Sequence, residues 1–475
     1  MTTTARPSDA IAAQDLARAG EELVETLRDL IRIPSVNPPQ DHGDGELRAA
    51  RYVAGVLRDL GLESEIVEPV PGRGSVHARL RGDGTGGEPL LLLSHLDVVP
   101  APPSDWVHDP FDADVADGYV YGRGAVDMKD LIAQELGVVR LLVAEARAAG
   151  RDPASDPIPG LTRDVLFTST ADEEAGGWIG AGWIAEHRPE WIQAAGAINE
   201  CGGVAVTVGE RRVYPIQVAE KGFSVYRIHV RGTWGHGSMP REDNAAVLAA
   251  AVIARLAKPG PIRVTPVMEH FVETTAEALG GPVASLLRGL LGDDPHPAEV
   301  QLAACDAMYA RALRALLRDT ISPNVVQSGI KYNVIPGEAV LEIDCRVLPG
   351  MTEPDARRVV EERIGPELLA ACEIEHVIFG EPVESPHHDP LFQLLAATVR
   401  DHDPDAVPVP FLVPFATDAK HTRGIGVPTY GFSPLKLAPE ERFLERFHGV
   451  DERVGIDALR WGLPVLYDVV RRFCS

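Results

Sequence analysis

Three short runs of continuous apolar residues, each ending on ionisable side chains, constrain this chain more than anything else in it: GGEPLLLLSHLD, DVLFTSTADEE and WIQAAGAINE. None alternates apolar with polar positions. A strand built on any of them is therefore buried on both faces, as in a parallel sheet covered by helices. The spacing predicts a helix from about Asp130 to Ala149, lying between two of these runs as a βαβ crossover requires. Amphipathic helices are also read over Glu21–Ile33, where Leu23, Leu27, Leu30 and Ile31 fall at helical spacing, and over Glu46–Leu60, ended by Gly61. PSVNPP between them is a turn or extended, because Pro removes a donor and biases its predecessor away from helix.

The pattern changes near Glu220. FSVYRIHVRG and AVLEIDCRV alternate apolar and polar residues, the signature of a sheet with one exposed face. Between them the chain reads as two helices, Asn244–Leu256 and Pro297–Leu317, interrupted by a loop from Gly280 to His296. The expected fold class is α/β: a mixed, mostly parallel sheet flanked by helices, with an inserted α+β domain. The expected boundaries are 1–219 and 383–475 for the two parts of the first domain and 220–382 for the insert.

Charge narrows the partners. With 45 Lys and Arg against 70 Asp and Glu, the formal net charge is −25, which repels phosphate backbones and anionic lipid. Neither nucleic acid nor a membrane surface is expected to bind. Five scattered cysteines (Cys201, Cys305, Cys345, Cys372 and Cys474) without CxxC spacing do not make a disulfide framework, and fit a reducing cytoplasm. The N-terminus lacks the apolar core of a signal peptide. The most apolar stretch, Ala245–Leu256, falls far short of the ~20 residues that span a bilayer.

Chemistry-bearing residues gather at the ends of the apolar runs. SHLDVVP places His95 and Asp97 after Leu90–Leu93, an arrangement in which an imidazole can meet a metal while the carboxylate orients it. YGRGAVDMKD places Asp127 just before a helix, where an N-cap is the competing reading. TSTADEEAGG carries the adjacent carboxylates Glu173 and Glu174, which repel unless something positive divides their roles. A metal does so if one ligates and the other acts as base. AINECGG places Glu200 at the end of the third run, and FHGVDERV carries His448. Ligands of open α/β sheets gather outside the carboxyl ends of strands. Two His and three carboxylates with a spare Glu suit a dinuclear site better than a single tetrahedral zinc.

Nine motifs in order (SHLDVVP, GRGAVDMKD, ADEEAGG, NECGG, HGSMP, NVIPGE, DCRVLPG, ATDAKH and HGVDERV) resemble one superfamily over roughly Glu21 to the C-terminus. It is that of dinuclear-zinc metallopeptidases including aminoacylase, glutamate carboxypeptidase and succinyl-diaminopimelate desuccinylase. The resemblance implies a zinc-peptidase catalytic domain with an inserted lid that also forms a homodimer interface. It implies two Zn²⁺, with Co²⁺ or Mn²⁺ as substitutes, held by His95, Glu174, Glu200 and His448 and bridged by Asp127. Glu173 is then the general base, and Asp97 orients His95. His236 of GHGSMP stabilises the oxyanion in the partner subunit's site, while Asn333 and Arg346 hold the substrate.

The implied reaction is hydrolysis of an amide bond, in a small peptide or N-acyl amino acid bearing a free carboxylate, by a hydroxide bridging the metals. Two divalent ions against Asp127, Glu174 and Glu200 leave one positive charge. Hydroxide and Glu173 turn that into one negative, so an anionic substrate depends on the planar fork of Arg346. The sequence departs from the superfamily at Cys201, where NEGG is common, and at Lys420-His421, where Arg is. The competing reading is a catalytically silent, dimeric protein that binds an amino-acid-like ligand on the same fold.

Overall fold

The computed structural model describes residues 6–38 and 43–475. The first five residues of the lead-in, and Pro39 at the end of PSVNPP, lie outside the described residues. The three apolar runs form the strands Leu90–His95, Val165–Thr170 and Gly196–Asn199, and all three are buried throughout. They run parallel, with Leu90 opposite Val165 on one side and Gly196 on the other. Thr429–Gly431 adds a further parallel strand beside Gly196–Asn199. Antiparallel strands flank this centre: Arg73–Leu80 and then Ser64–Val70 on one side, Arg211–Glu220 on the other.

The sheet is mixed with a parallel core because only its central strands are apolar on both faces. The edge strand Ser64–Val70 (SEIVEPV) is polar enough to stay largely exposed. Helix Lys129–Ala148 makes the crossover and packs against Ala13–Ile31 and Ile456–Cys474. Leu23, Leu27, Leu30 and Ile31 are fully buried on one stripe. Truncating one such leucine to Ala typically costs about 2–5 kcal/mol. The first helix starts at Ala13, ahead of Glu21, since the Ala- and Arg-containing stretch before it favours helix.

The chain divides into two compact units. One comprises the residues up to Val218 with Ser385–Phe411 and Thr417–Ser475; the other comprises Ala219–Glu384 and Leu412–Ala416. The second unit holds a four-stranded antiparallel sheet in the order Thr320–Ser328, Glu338–Val347, Gly222–Arg231, Cys372–Gly380. Tyr226, Ile228 and Val230 alternate inward and pack with the helices Ala245–Leu256 and Glu353–Ile364.

The segment between these strands corrects the expectation. Gly280–His296 is not a loop, because it contains the helix Gly281–Gly289 with Pro282 in its first turn, where the missing N–H costs nothing. Pro266–Leu279 is a further helix, capped by Thr265. Pro297–Leu317 is two helices, His296–Cys305 and Ala307–Leu316. They break at Asp306, whose carboxylate accepts from Met308 N (2.9 Å) and Tyr309 N (3.1 Å). No helix among the described residues is long and apolar enough to cross a membrane.

Candidate metal centre

The carboxyl ends of the parallel strands deliver the ionisable residues to one place in the first unit. His95 is the last residue of its strand and Glu200 follows Gly196–Asn199 directly. Glu173 and Glu174 sit in the short 3₁₀ turn after Val165–Thr170. Asp127 precedes Lys129–Ala148 without capping it, for no side chain caps that helix.

Two groups of donors result, His95–Asp127–Glu200 and Asp127–Glu174–His448. His95 Nε2 lies 3.2 Å from Asp127 Oδ1 and 3.6 Å from Glu200 Oε2. His448 Nε2 lies 3.2 Å from Asp127 Oδ2 and 3.2 Å from Glu174 Oε2. The two oxygens of Asp127 thus serve different groups, as a bridging carboxylate must. Glu173 Oε2 stands 4.0 Å from His95 Nε2.

The electrostatics call for positive charge. Burial raises the Glu173 carboxyl well above its ordinary range, and Glu200 adds to this. Burial raises Glu200 also. Burial with the Asp127 charge carries Glu174 to about 7. Burial alone would lower His95, yet Glu200, Asp127 and Asp97 hold it well above its usual value. Hydrogen bonds to Asp127 and Glu174 raise His448 to about 10. Carboxylates so crowded need cations, and in their absence they take protons instead. His95 Nε2 and Glu174 Oε1 are buried without a hydrogen-bond partner. Buried imidazole nitrogen and carboxylate oxygens converging in this way fit divalent cations.

The carboxylate of Asp97 does more than face the imidazole. His95 Nδ1 is 3.1 Å from the Asp97 carbonyl oxygen and 3.5 Å from Oδ1. The same carboxylate accepts the backbone N–H of Glu173 (3.1 Å) and of Glu174 (3.0 Å), and Asn37 Nδ2 at 2.8 Å. Glu452, buried, accepts Arg123 Nη1 (2.6 Å) and Val126 N (2.8 Å), tying the segment that bears Asp127 to the one that bears His448. Gly431 lies against the Glu200 backbone, where any Cβ would overlap the Glu200 carbonyl oxygen. Asn37 has no motif signal beyond its polarity, and Arg123, although inside GRGAVDMKD, shows no role from that motif alone. Only the fold brings them to the site.

The remaining predicted residues lie in the second unit. The short strands Gly235–His236 and Val334–Ile335 pair, and Gly237 N donates to the Asn333 carbonyl (2.9 Å), so His236 and Asn333 are brought together. His236 is exposed, with Nδ1 2.8 Å from Ser238 Oγ. Asn333 Oδ1 is buried without a hydrogen-bond partner. Arg346 is engaged by Asp344 (Nε to Oδ1, 2.7 Å), with its guanidinium 5.6 Å from the Phe223 ring centre. In the first unit Cys201 takes a left-handed conformation (φ 69°) and its thiol lies 3.4 Å from Glu200 Oε2. Lys420 donates to the Thr417 carbonyl (2.8 Å), and His421 meets Trp178 edge-on.

Two donor groups sharing one carboxylate at the strand ends of a mixed α/β sheet are an arrangement that could hold a pair of divalent cations. The chain belongs to Peptidase family M20/M25/M40, whose profile matches residues 91–472, and is a metallo-amidohydrolase of that family. It is 27% identical over 451 residues to the N-fatty-acyl-amino acid synthase/hydrolase of Xenopus tropicalis, covering 92% of this chain and 83% of the relative. It is 28% identical over 462 residues to human aminoacylase-1, covering 94% and 95%. The fold matches the M20 family metallo-carboxypeptidase of Sulfolobus solfataricus (TM-score 0.70, 16% identity, 95% and 99% of the two chains). It also matches human carnosine dipeptidase 1 (TM-score 0.68, 18% identity, 97% and 98%).

Proposed function

We propose that the protein hydrolyses an amide bond next to a free carboxylate, in a peptide or an N-acyl amino acid, using two zinc ions for which cobalt or manganese can substitute. The observation that carries this reading is the division of the Asp127 oxygens between two donor groups. His95 and Glu200 would hold one ion, Glu174 and His448 the other, with Asp127 between them. Bound, the ions supply Lewis acidity toward a water molecule and toward the amide carbonyl.

The chain's own residues do the rest. Glu173 belongs to neither group and its carboxylate stands 4.0 Å from His95, so it takes the proton of the attacking water and returns it to the leaving amine. Asp97 orients His95 and fixes the turn on which Glu173 stands. His236, exposed, donates to the developing oxyanion of a second copy's substrate. Arg346 exchanges Asp344 for the substrate carboxylate, and Asn333 offers its buried amide oxygen to a substrate donor.

Residues 1–219 with 383–475 form the catalytic domain and 220–382 the lid through which a homodimer assembles. The edge strand Thr320–Ser328, with Val326 exposed on it and Ile330 and Tyr332 exposed just after it, is the kind of surface a second copy covers. The aminoacylase and N-fatty-acyl-amino acid relatives support an N-acyl amino acid substrate, and the dipeptidase fold match keeps short peptides in view. The test is amine release from N-acyl amino acids and dipeptides by protein stripped with a chelator and then given Zn²⁺. Activity that returns with the metal supports the reading, and activity indifferent to chelation refutes it.

A further inference from the structure

The turn carrying Glu173 and Glu174 is held from behind by residues that neither donor group contains. Asp172, at its start, adopts the left-handed conformation (φ 73°), which a residue with a Cβ rarely takes. Three successive amides of this turn each point at a carboxylate. Asp172 N donates to Glu46 Oε1 (2.9 Å), Glu173 N to Asp97 Oδ1 (3.1 Å) and Glu174 N to Asp97 Oδ2 (3.0 Å). The Asp172 carboxylate is fixed in turn, with Oδ1 accepting Arg73 Nη2 (2.9 Å) and Oδ2 accepting Ile179 N (3.1 Å). Arg73 also donates to Glu46, through Nη2 to Oε1 at 2.9 Å and through Nε to Oε2. Arg73, Glu46 and Asp172 are only 8%, 2% and 6% exposed. Glu46 and Arg73 both precede the segment that the family profile matches.

Burying one guanidinium with two carboxylates is costly, and apolar packing of the same volume would stabilise the fold as well or better. What apolar residues could not do is occupy the Asp172 N–H while gripping the Asp172 side chain. We infer that Arg73, Glu46 and Asp172 act as a positioning clamp that sets the Glu173–Glu174 turn. Arg73 thereby governs retention of the cation held by Asp127, Glu174 and His448, and the placement of the base, without touching either. The inference rests on the two-cation reading above. Of the donors, only Glu174 stands on this turn, while His95 ends one strand of the parallel sheet and Glu200 directly follows another. Loosening the clamp should therefore act on one cation and leave the other.

The experiment compares wild type with Arg73→Met, Arg73→Lys and the nearly isosteric Glu46→Gln, each loaded with Co²⁺. Bound cobalt per chain is measured after dialysis against a weak chelator, together with the visible cobalt spectrum, kcat, KM and the melting midpoint. Wild type should keep two equivalents. Arg73→Met and Glu46→Gln should keep one, with the second bound about 10–100-fold more weakly, the usual cost of losing an outer-shell partner. In these variants kcat should fall by a similar factor while KM changes less than about threefold. Arg73→Lys, a point charge without the fork, should recover part of the loss.

Retention of both ions with unchanged kcat in Arg73→Met and Glu46→Gln overturns the inference. So does loss of both ions in parallel with the melting midpoint, the signature of a merely structural role. Should Arg73→Met not fold, Glu46→Gln decides alone. Fewer than two equivalents on wild type would overturn the two-cation reading itself, and this inference with it.

Discussion

The two donor groups share Asp127 yet are built differently. The His95 group stands on strand ends: His95 closes Leu90–His95 and is 1% exposed, and Glu200 follows the buried strand Gly196–Asn199. The His448 group draws on a turn and a loop, and the His448 side chain is 54% exposed. The sheet fixes one set of donors through its ladder of hydrogen bonds. The other set relies on side-chain ties, among them Glu452 to Arg123 and Asp97 to the Glu173–Glu174 turn. If both groups hold cations, as proposed, a rigid, dry group and a more accessible one are expected to differ in affinity and in the order in which they fill.

Removing the base leaves both groups intact and should have the largest effect on rate. Glu173→Gln is expected to lose about 10²–10⁴-fold in kcat while keeping both cations, read from steady-state kinetics and metal content on the same sample. Breaking the groups one at a time tests their inequality next. His448→Ala should retain one tightly bound cation per chain, whereas His95→Ala should bind neither firmly. Equal stoichiometry in the two variants would erase the distinction.

How much of this was legible in the sequence follows the same division. Leu90–Leu93 followed by His95 announces a buried strand and a candidate donor at its end together, because composition and position coincide in one short run. The alternation of FSVYRIHVRG likewise gives the exposed-face sheet of the second unit. Gly281–Gly289 escaped because Gly and Pro read as loop formers, and the expected loop from Gly280 to His296 did not reach back to Pro266–Leu279. In the fold, Gly280 and Gly281 make the left-handed joint between the helices, and Pro282 starts the second. Asn37, Glu46 and Arg73 carry no local pattern at all. Their meaning lies in tertiary contacts to Asp97 and Asp172, which no spacing along the chain encodes.

Acidity should separate the groups in a graded way. In the cation-free protein Asp127 and Glu174 hold the His448 proton up to about 10, so at neutral pH a cation must expel it to bind. Affinity at the His448 group is expected to rise as pH climbs from 7 toward 10, with proton release on binding measurable by calorimetry in buffers of different ionisation enthalpy. The sign for stability is the reverse. The raised His448 pKa contributes cation-free stability that is full below about 6.5 and lost as pH rises through about 10. Melting of the stripped protein across that window checks it.

Arg346 belongs to neither group and should show the smallest change. Arg346→Lys keeps the charge but not the planar fork, so KM for a carboxylate-bearing substrate should rise about tenfold with kcat and cation content unaltered.

The most direct measurement is a Zn²⁺ titration of chelator-stripped protein, followed by calorimetry and, in parallel, by hydrolysis of an N-acyl amino acid. Two binding events of unequal affinity are expected, with hydrolysis rising as the weaker one saturates. A single event, or full activity before any metal is added, would contradict a site in which Asp127 joins two cations.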